Sequence, residues 1–99
     1  MGLSRKVYDL CRRIPKGKVT TYKIIAEKLG TRAYRAVGRI LNKNPHVDVP
    51  CHRVVGSDGR LVGFAHGIKR KKEVLQKEGI EIIGYKVAGM EKVLFRFRA

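Results

Sequence analysis

The chain has 99 residues, enough for one domain with a single modest core, and its 43% hydrophobic content excludes a disordered tail. No apolar run approaches the ~20 residues that span a bilayer, and the opening MGLSRKVYDLC carries charge where a signal peptide would be apolar. With 23 Lys and Arg against 8 Asp and Glu, the net charge of +15 makes a polyanion the expected partner, nucleic acid first. The competing explanation of that charge is a solvated basic surface.

Leu3, Val7, Leu10, Cys11 and Ile14 recur at helical spacing and predict a first helix ending before Pro15. Cys11 reads there as a small core residue. PKGK is a turn. VTTYKIIAEKLG predicts a second helix, capped by Thr20 or Thr21, burying Tyr22, Ile25, Ala26 and Leu29 and stopped by Gly30. TRAYRAVGRILNKN predicts a third. On a wheel of 100° per residue Ala33, Val37, Ile40 and Leu41 share one side, while Arg32, Arg35, Arg39 and Lys43 fall within an arc of roughly 80° on the other. Ala33, Ala36 and Gly38 keep this helix slim enough to approach a phosphate. A helix, a turn and a helix with an arginine stripe, over about 21–42, describe a helix-turn-helix, against the plainer reading of an amphipathic helix with solvated arginines.

Residues 44–56 predict a Pro-punctuated loop running into a short strand. GSDGRLVGF predicts a hairpin over 56–66, with Asp58-Gly59 as the tight turn between Val54, Val55 and Leu61, Val62; it would form a wing. IKRKKEVLQKEG predicts a last helix over 68–78, stopped by Gly79. The tail alternates Val93, Phe95 and Phe97 with Leu94, Arg96 and Arg98, consistent with a terminal strand. The expected fold is mainly α: a winged helix-turn-helix domain with a short β-hairpin wing, in one unit over 1–99.

Chemistry concentrates in NPHVDVPCHRVVG. No cysteine spacing fits zinc, and a disulfide between Cys11 and Cys51 would be improbable in a reducing compartment. A thiolate is the competent sulfur nucleophile, and a free cysteine with pKa ~8.5 is only slightly ionised at neutral pH. His52 is the obvious base for Cys51. Neighbours on a regular strand point to opposite faces, so direct contact needs a turn here, for which Pro50 provides; otherwise a water relays the proton. Glu78 is the candidate orienting group. It shares the apolar side of the last helix with Val74 and Leu75, at a helix end where the dipole and desolvation both disfavour a carboxylate. An exposed end-of-helix glutamate is the plainer alternative. His66 lies beside the wing, where it could line a pocket.

VYDLCRRIPKGKVTTYKIIAEKLG, RAVGRILNKNP, PCHRVV and LQKEG, in this order over roughly residues 4–80, resemble the DNA-binding, active-site domain of the O6-alkylguanine-DNA alkyltransferases, or methylated-DNA–protein-cysteine methyltransferases. The resemblance implies a single-turnover repair protein. It would flip O6-alkylguanine, chiefly O6-methylguanine, out of duplex DNA and move the alkyl group irreversibly to its own cysteine, without a cofactor. By position Cys51 is the acceptor, and His52, acting through a water and held by Glu78, is the base. Tyr22 is the proton donor to the leaving guanine, and Asn44 braces the turn before the active site. Arg35 is the finger that fills the gap, on a DNA-binding face with Arg32, Arg39, Tyr22, Ala36 and Gly38. The pocket is formed by Val54, Phe64, Ala65 and His66, with the backbone at Val54 and Ala65 reading the guanine edge.

Phe64 stands where relatives often have Tyr, and His66 where a small glycine is common, which bears on the alkyl groups accepted. The amino-terminal domain of many relatives and any zinc site in it are expected to be absent, so no metal is expected. A monomer on double-stranded DNA is expected, in the cytoplasm, on the nucleoid or in a nucleus, with several copies along one DNA left open. Two other readings compete with this one. One is a catalytically silent, alkyltransferase-like lesion sensor, a group that lacks the acceptor cysteine. The other is a winged-helix transcription regulator, which gives no reason for Cys51-His52.

Overall fold

A computed structural model describes residues 2–46, 48–62 and 67–97. The apolar spacing of the first segment yields α1, Leu3–Arg12, which buries Val7, Leu10 and Cys11. The following turn, with Gly17 at φ 87° where a side chain would strain, leads into β1, Thr20–Thr21. Thr21 is extended, and its Oγ1 accepts a hydrogen bond from the Ile24 N–H at 3.0 Å. That satisfies one of the orphan donors of α2, Tyr22–Lys28, and fixes its start.

The third helix, α3, spans Tyr34–Asn42 and buries Val37 and Leu41, with Ile40 packed at the edge. It begins later than the wheel anticipated. The Thr31 hydroxyl takes the Ala33 N–H at 3.1 Å and the Arg32 carbonyl takes the Tyr34 N–H at 2.8 Å. This local bonding competes with the first helical turn. Arg32 therefore precedes the helix instead of sitting on its stripe, and Ala33 is exposed instead of buried.

After α3 the chain loops back to a single 3-10 turn, Cys51–Arg53, and then β2, Val54–Val55. β2 pairs in parallel with β1, Thr20 opposite Val54 and Thr21 opposite Val55. This corrects the expected pairing of Val54 and Val55 with Leu61 and Val62. A tight turn does form: the Gly56 N–H reaches the Arg60 carbonyl at 2.9 Å, and Gly59 has φ 91°. Its flanks, however, take different partners. Val54 and Val55 join β1, whereas Arg60 bridges Lys86 and the Leu61 N–H bonds the Tyr85 carbonyl at 2.9 Å. Val54, Val55 and Leu61 are buried between elements on both sides, so partners distant in sequence outcompete the local hairpin. The outer part of the expected wing, 63–66, lies outside the described residues.

α4, Ile68–Lys77, ends where Gly79 turns left-handed at φ 91° and the Ile80 N–H bonds the Leu75 carbonyl at 3.1 Å. An unforeseen antiparallel pair follows: β3, Ile82–Ile83, and β4, Lys86–Val87, joined through Gly84. A four-residue helix α5, Met90–Val93, precedes the tail. Instead of a terminal strand the tail makes one parallel bridge, Leu94 opposite Val19, in which the Phe95 N–H bonds the Val19 carbonyl at 2.6 Å; Val93 closes α5, and Arg98 lies outside the described residues.

Among the described residues the architecture is helix-rich with two small sheets. One apolar cluster, from Val7 through Cys51 to Val54, sits between α1, α2 and α3. A second, of Val19, Val55, Leu61, Leu75, Ile80 and Val87, lies under α4 and β4. The 3-10 turn lies where the two meet.

Candidate active site

Cys51 opens the 3-10 turn. Its N–H bonds the Val49 carbonyl at 2.8 Å, and the Arg53 N–H closes the turn on Pro50 at 3.0 Å. The turn breaks strand alternation, so three consecutive side chains have distinct surroundings. Cys51 points into the first apolar cluster with 9% of its surface exposed, while His52 and Arg53 both reach Glu78. The loop before it is tied internally: Asn44 Nδ2 donates to the Val49 carbonyl at 3.2 Å, and its Oδ1 accepts from the His46 N–H at 2.9 Å.

His52 Nε2 lies 3.0 Å from Glu78 Oε2. Arg53 grips the same carboxylate with two donors, Nε to Oε1 at 2.9 Å and Nη2 to Oε2 at 2.7 Å, and its Nη1 donates to the Ile14 carbonyl at 2.9 Å. Arg53 thus joins the end of α1, the cysteine turn and the end of α4. Burial pushes the Glu78 carboxyl up, but hydrogen bonds from Arg53 and His52 outweigh it and hold its pKa below the usual value. Burial likewise lowers His52 more than its bond to Glu78 raises it, so its pKa falls below 6.5 and the ring is neutral at pH 7. A neutral imidazole facing a carboxylate donates from Nε2, which leaves Nδ1 as a free base.

Lys71 is the buried cation of the site, with none of its surface exposed. Its Nζ donates to the carbonyls of Val54 at 2.6 Å and Val62 at 2.9 Å and lies 3.4 Å from the Tyr22 hydroxyl. Burial depresses its pKa to about 8, partly offset by the fields of Cys51 and Cys11 in their ionised forms. Tyr22 is raised for the same two reasons, burial and the cysteines, and its hydroxyl donates to the Val62 carbonyl at 2.7 Å. Tyr22 and Lys71, like the Cys11 thiol, therefore lie where a charge on Cys51 would be felt. Cys11 is fully buried and its thiol is pushed up to about 12, chiefly by burial, so it stays a protonated core residue.

Tyr22 also forms a wall of an open cavity of about 470 Å³, shared with Lys23, Tyr34, Arg35, Gly38 and Arg39. Arg35 and Arg39 are exposed there, and Arg32 and Ala36 line the adjoining groove. Gly38 is half-buried; a Cβ on it would stand 4.0 Å from the Tyr22 ring. Its bareness therefore faces Tyr22. Cys51 is not among the cavity's described walls; Tyr22 lines the cavity and also packs against the apolar cluster that holds Cys51. Val54 is wholly buried, with its carbonyl already bonded to Lys71, so reading a guanine edge would use that oxygen's second lone pair or a neighbouring group. Phe64, Ala65 and His66 lie outside the described residues.

Arg53 and Lys71 escaped sequence reasoning. Arg53 stands inside PCHRVV without a role of its own. Lys71 is hidden in IKRKK among solvated neighbours, but it shares a helical face with Val74, Leu75 and Glu78, the signal that would have singled it out. Among the described residues no group of three or more His, Cys, Asp or Glu side chains could hold a metal ion, and no helix is long and apolar enough to cross a membrane.

A family model described as "6-O-methylguanine DNA methyltransferase, DNA binding domain" matches residues 2–80. A methylated-DNA–protein-cysteine methyltransferase of Sulfolobus acidocaldarius is 51% identical over 79 residues, 79% of this chain and 50% of that protein. One from Methanosarcina barkeri is 47% identical over 76 residues, 75% and 48%. The chain thus spans about half the length of these curated relatives. Among solved structures, S. pombe Atl1 in complex with damaged DNA containing O6-carboxymethylguanine superposes with a TM-score of 0.83 at 34% identity, covering 94% of both chains. Mycobacterium tuberculosis OGT in complex with DNA gives 0.75 at 38% identity, over 80% of this chain and 49% of that one. The chain belongs to the family of the 6-O-methylguanine DNA methyltransferase DNA-binding domain.

Proposed function

We propose that this chain repairs DNA by taking the alkyl group of O6-alkylguanine, chiefly methyl, onto Cys51 in a single irreversible turnover. The observation that carries the proposal is the cysteine turn: a sulfur at the edge of the core, followed by a neutral His52 whose Nε2 is held by Glu78. A cysteine kept only for packing, as Cys11 is, needs no such company.

In this reading α2 and α3 form the helix-turn-helix, residues 44–56 the active-site loop, 56–66 the wing and α4 the last helix of a winged domain that docks on double-stranded DNA. Arg35 and Arg39, with Arg32 beside the helix, meet the duplex, Ala36 and Gly38 allow close approach, and Arg35 fills the gap left by the flipped base. Flipping costs a few kcal/mol and less at a mispaired lesion. The guanine passes Tyr22 into a pocket completed by Val54, Phe64, Ala65 and His66. The Cys51 thiol proton moves through a water to His52 Nδ1. The thiolate then attacks the alkyl carbon as the carbon–oxygen bond breaks, and guanine leaves with that electron pair. Tyr22 gives guanine a proton, a step typically worth ~10²- to 10⁴-fold, and Lys71, with its pKa near 8, can restore the tyrosine's proton. Asn44 keeps the loop in register through Val49. No cofactor enters the reaction.

A lesion sensor is the second reading, favoured by the likeness to Atl1 over 94% of both chains. Cys51 separates the two, since a sensor needs no acceptor. Cys51→Ser is expected to abolish methyl transfer from an O6-methylguanine duplex while leaving duplex affinity nearly intact, measured by single-turnover label transfer and by fluorescence anisotropy. Wild-type protein that binds the lesion duplex without taking its methyl would favour the sensor.

A further inference from the structure

The tail after α4 lies beyond the region matched by the family model, yet the structure draws it toward the side that carries Tyr22 and Arg35. The Val19 N–H bonds the Val93 carbonyl at 2.9 Å, the Phe95 N–H bonds the Val19 carbonyl at 2.6 Å, and Lys18 Nζ donates to the Lys92 carbonyl at 3.1 Å. Phe95 and Phe97 then pack edge to face, with ring centroids 5.1 Å apart, against the first core. Arg96, between them, is exposed.

These anchors place Arg96 in a cleft of about 260 Å³ beside the main cavity, floored by Met90 and Leu94 and rimmed by Lys23, Glu27 and Ser57. Lys23 and Ser57 line both spaces. The cations around them thus form a continuous edge, Arg39 and Arg35 on the main cavity, Lys23 at the boundary and Arg96 on the tail. Among the described residues, Glu27 is the one opposing charge on the cleft, against the cations Lys23 and Arg96.

We infer that the tail extends the DNA-binding face, with Arg96 and Lys23 gripping backbone phosphate beyond the flipped nucleotide. The inference rests on the reading that the α2–α3 side meets duplex DNA. A phosphate is the fitting ligand because its oxygens accept from a guanidinium, an ammonium or the Ser57 hydroxyl, and duplex DNA repeats it at a regular spacing, so Arg96 and Lys23 each neutralise one. Such a contact carries no sequence information but releases counterions.

The test measures binding to an undamaged duplex as a function of salt. For B-DNA, log K falls against log salt with a slope of about 0.9 per phosphate neutralised. Arg96→Gln and Lys23→Gln should each make the slope shallower by about 0.9, and Arg96→Lys should keep it, which guards against a merely misfolded tail. Lys77→Gln removes an equal charge from a residue that lines neither cleft and should leave the slope unchanged. An Arg96→Gln slope equal to that of the wild type, or an equal loss in Lys77→Gln, would overturn the inference while leaving the repair function untouched. A wild-type protein with no salt-dependent duplex binding would instead sink the DNA reading on which it rests.

Discussion

At the residue scale the site depends on what surrounds two titratable groups. Glu78 raises the basicity of His52, and burial lowers it further than that, so the imidazole is neutral and ready to accept a proton until pH falls through its depressed pKa. Methyl transfer should therefore hold level at neutral pH and fall only below about 6.5. Glu78→Gln removes the negative charge that raises His52 and leaves only a neutral, weaker acceptor for its Nε2–H. In single-turnover rates corrected for the folded fraction, the acid limb should shift to lower pH and the plateau should drop by roughly 10²-fold. An unmoved limb would detach Glu78 from the base.

Lys71 makes a second statement, about stability. Folded, it holds its proton with a pKa of about 8 against 10.5 when free. Between those values the unfolded chain binds more protons, so this residue makes stability rise with pH over that window. Urea unfolding of wild type and Lys71→Met at both ends of the window reads the effect as a difference, in which the titration of groups remote from Lys71 cancels. The difference should move in favour of the wild type by up to about 3 kcal/mol; a constant difference would mean that Lys71 titrates normally.

At the scale of elements, α1, α2 and α4 were legible because each buries a stripe at 3.6-residue spacing and carries its own stop, Pro15 after α1, Gly30 after α2 and Gly79 after α4, whereas the short α5, which buries nothing, left no such signal. The start of α3 was not, because Thr31 offers the backbone a competing bond that no periodicity records. The small sheets were misread for a related reason. Asp58-Gly59 specifies a turn but not what its flanks pair with, and here β2 chose β1 while Leu61 chose Tyr85. Gly38 links element to site. Alanine there should raise helix stability by roughly 0.5–1 kcal/mol, since its methyl would meet the Tyr22 ring at an ordinary 4.0 Å. The same methyl narrows the cavity, so Gly38→Ala should melt a few degrees higher yet accept methyl from duplex DNA more slowly. A lower melting temperature would show that the Tyr22 ring is held too tightly for the methyl.

At the scale of the molecule, three separate segments converge on one cysteine turn. The turn after α1 supplies the Ile14 carbonyl to Arg53, α2 supplies Tyr22, and α4 with its C-cap supplies Lys71 and Glu78. The pairing of His52 with Glu78 could be argued from the sequence because a carboxylate at a helix end invites a cationic or hydrogen-bonding partner. The grip of Arg53 and the burial of Lys71 could not, since each depends on chain segments brought together only by folding. The charge of +15 suits this assembly to a polyanion, and in the proposed function the sulfur supplies the irreversible step.

The most direct measurement of that reaction is the mass of the protein after incubation with a duplex carrying one O6-methylguanine. The account predicts a gain of one methyl per chain, on the peptide that contains Cys51, with the Cys11 peptide unchanged and the duplex returned with guanine. An unmodified chain after saturating exposure to the lesion duplex, or a methyl found on any other residue, would contradict it.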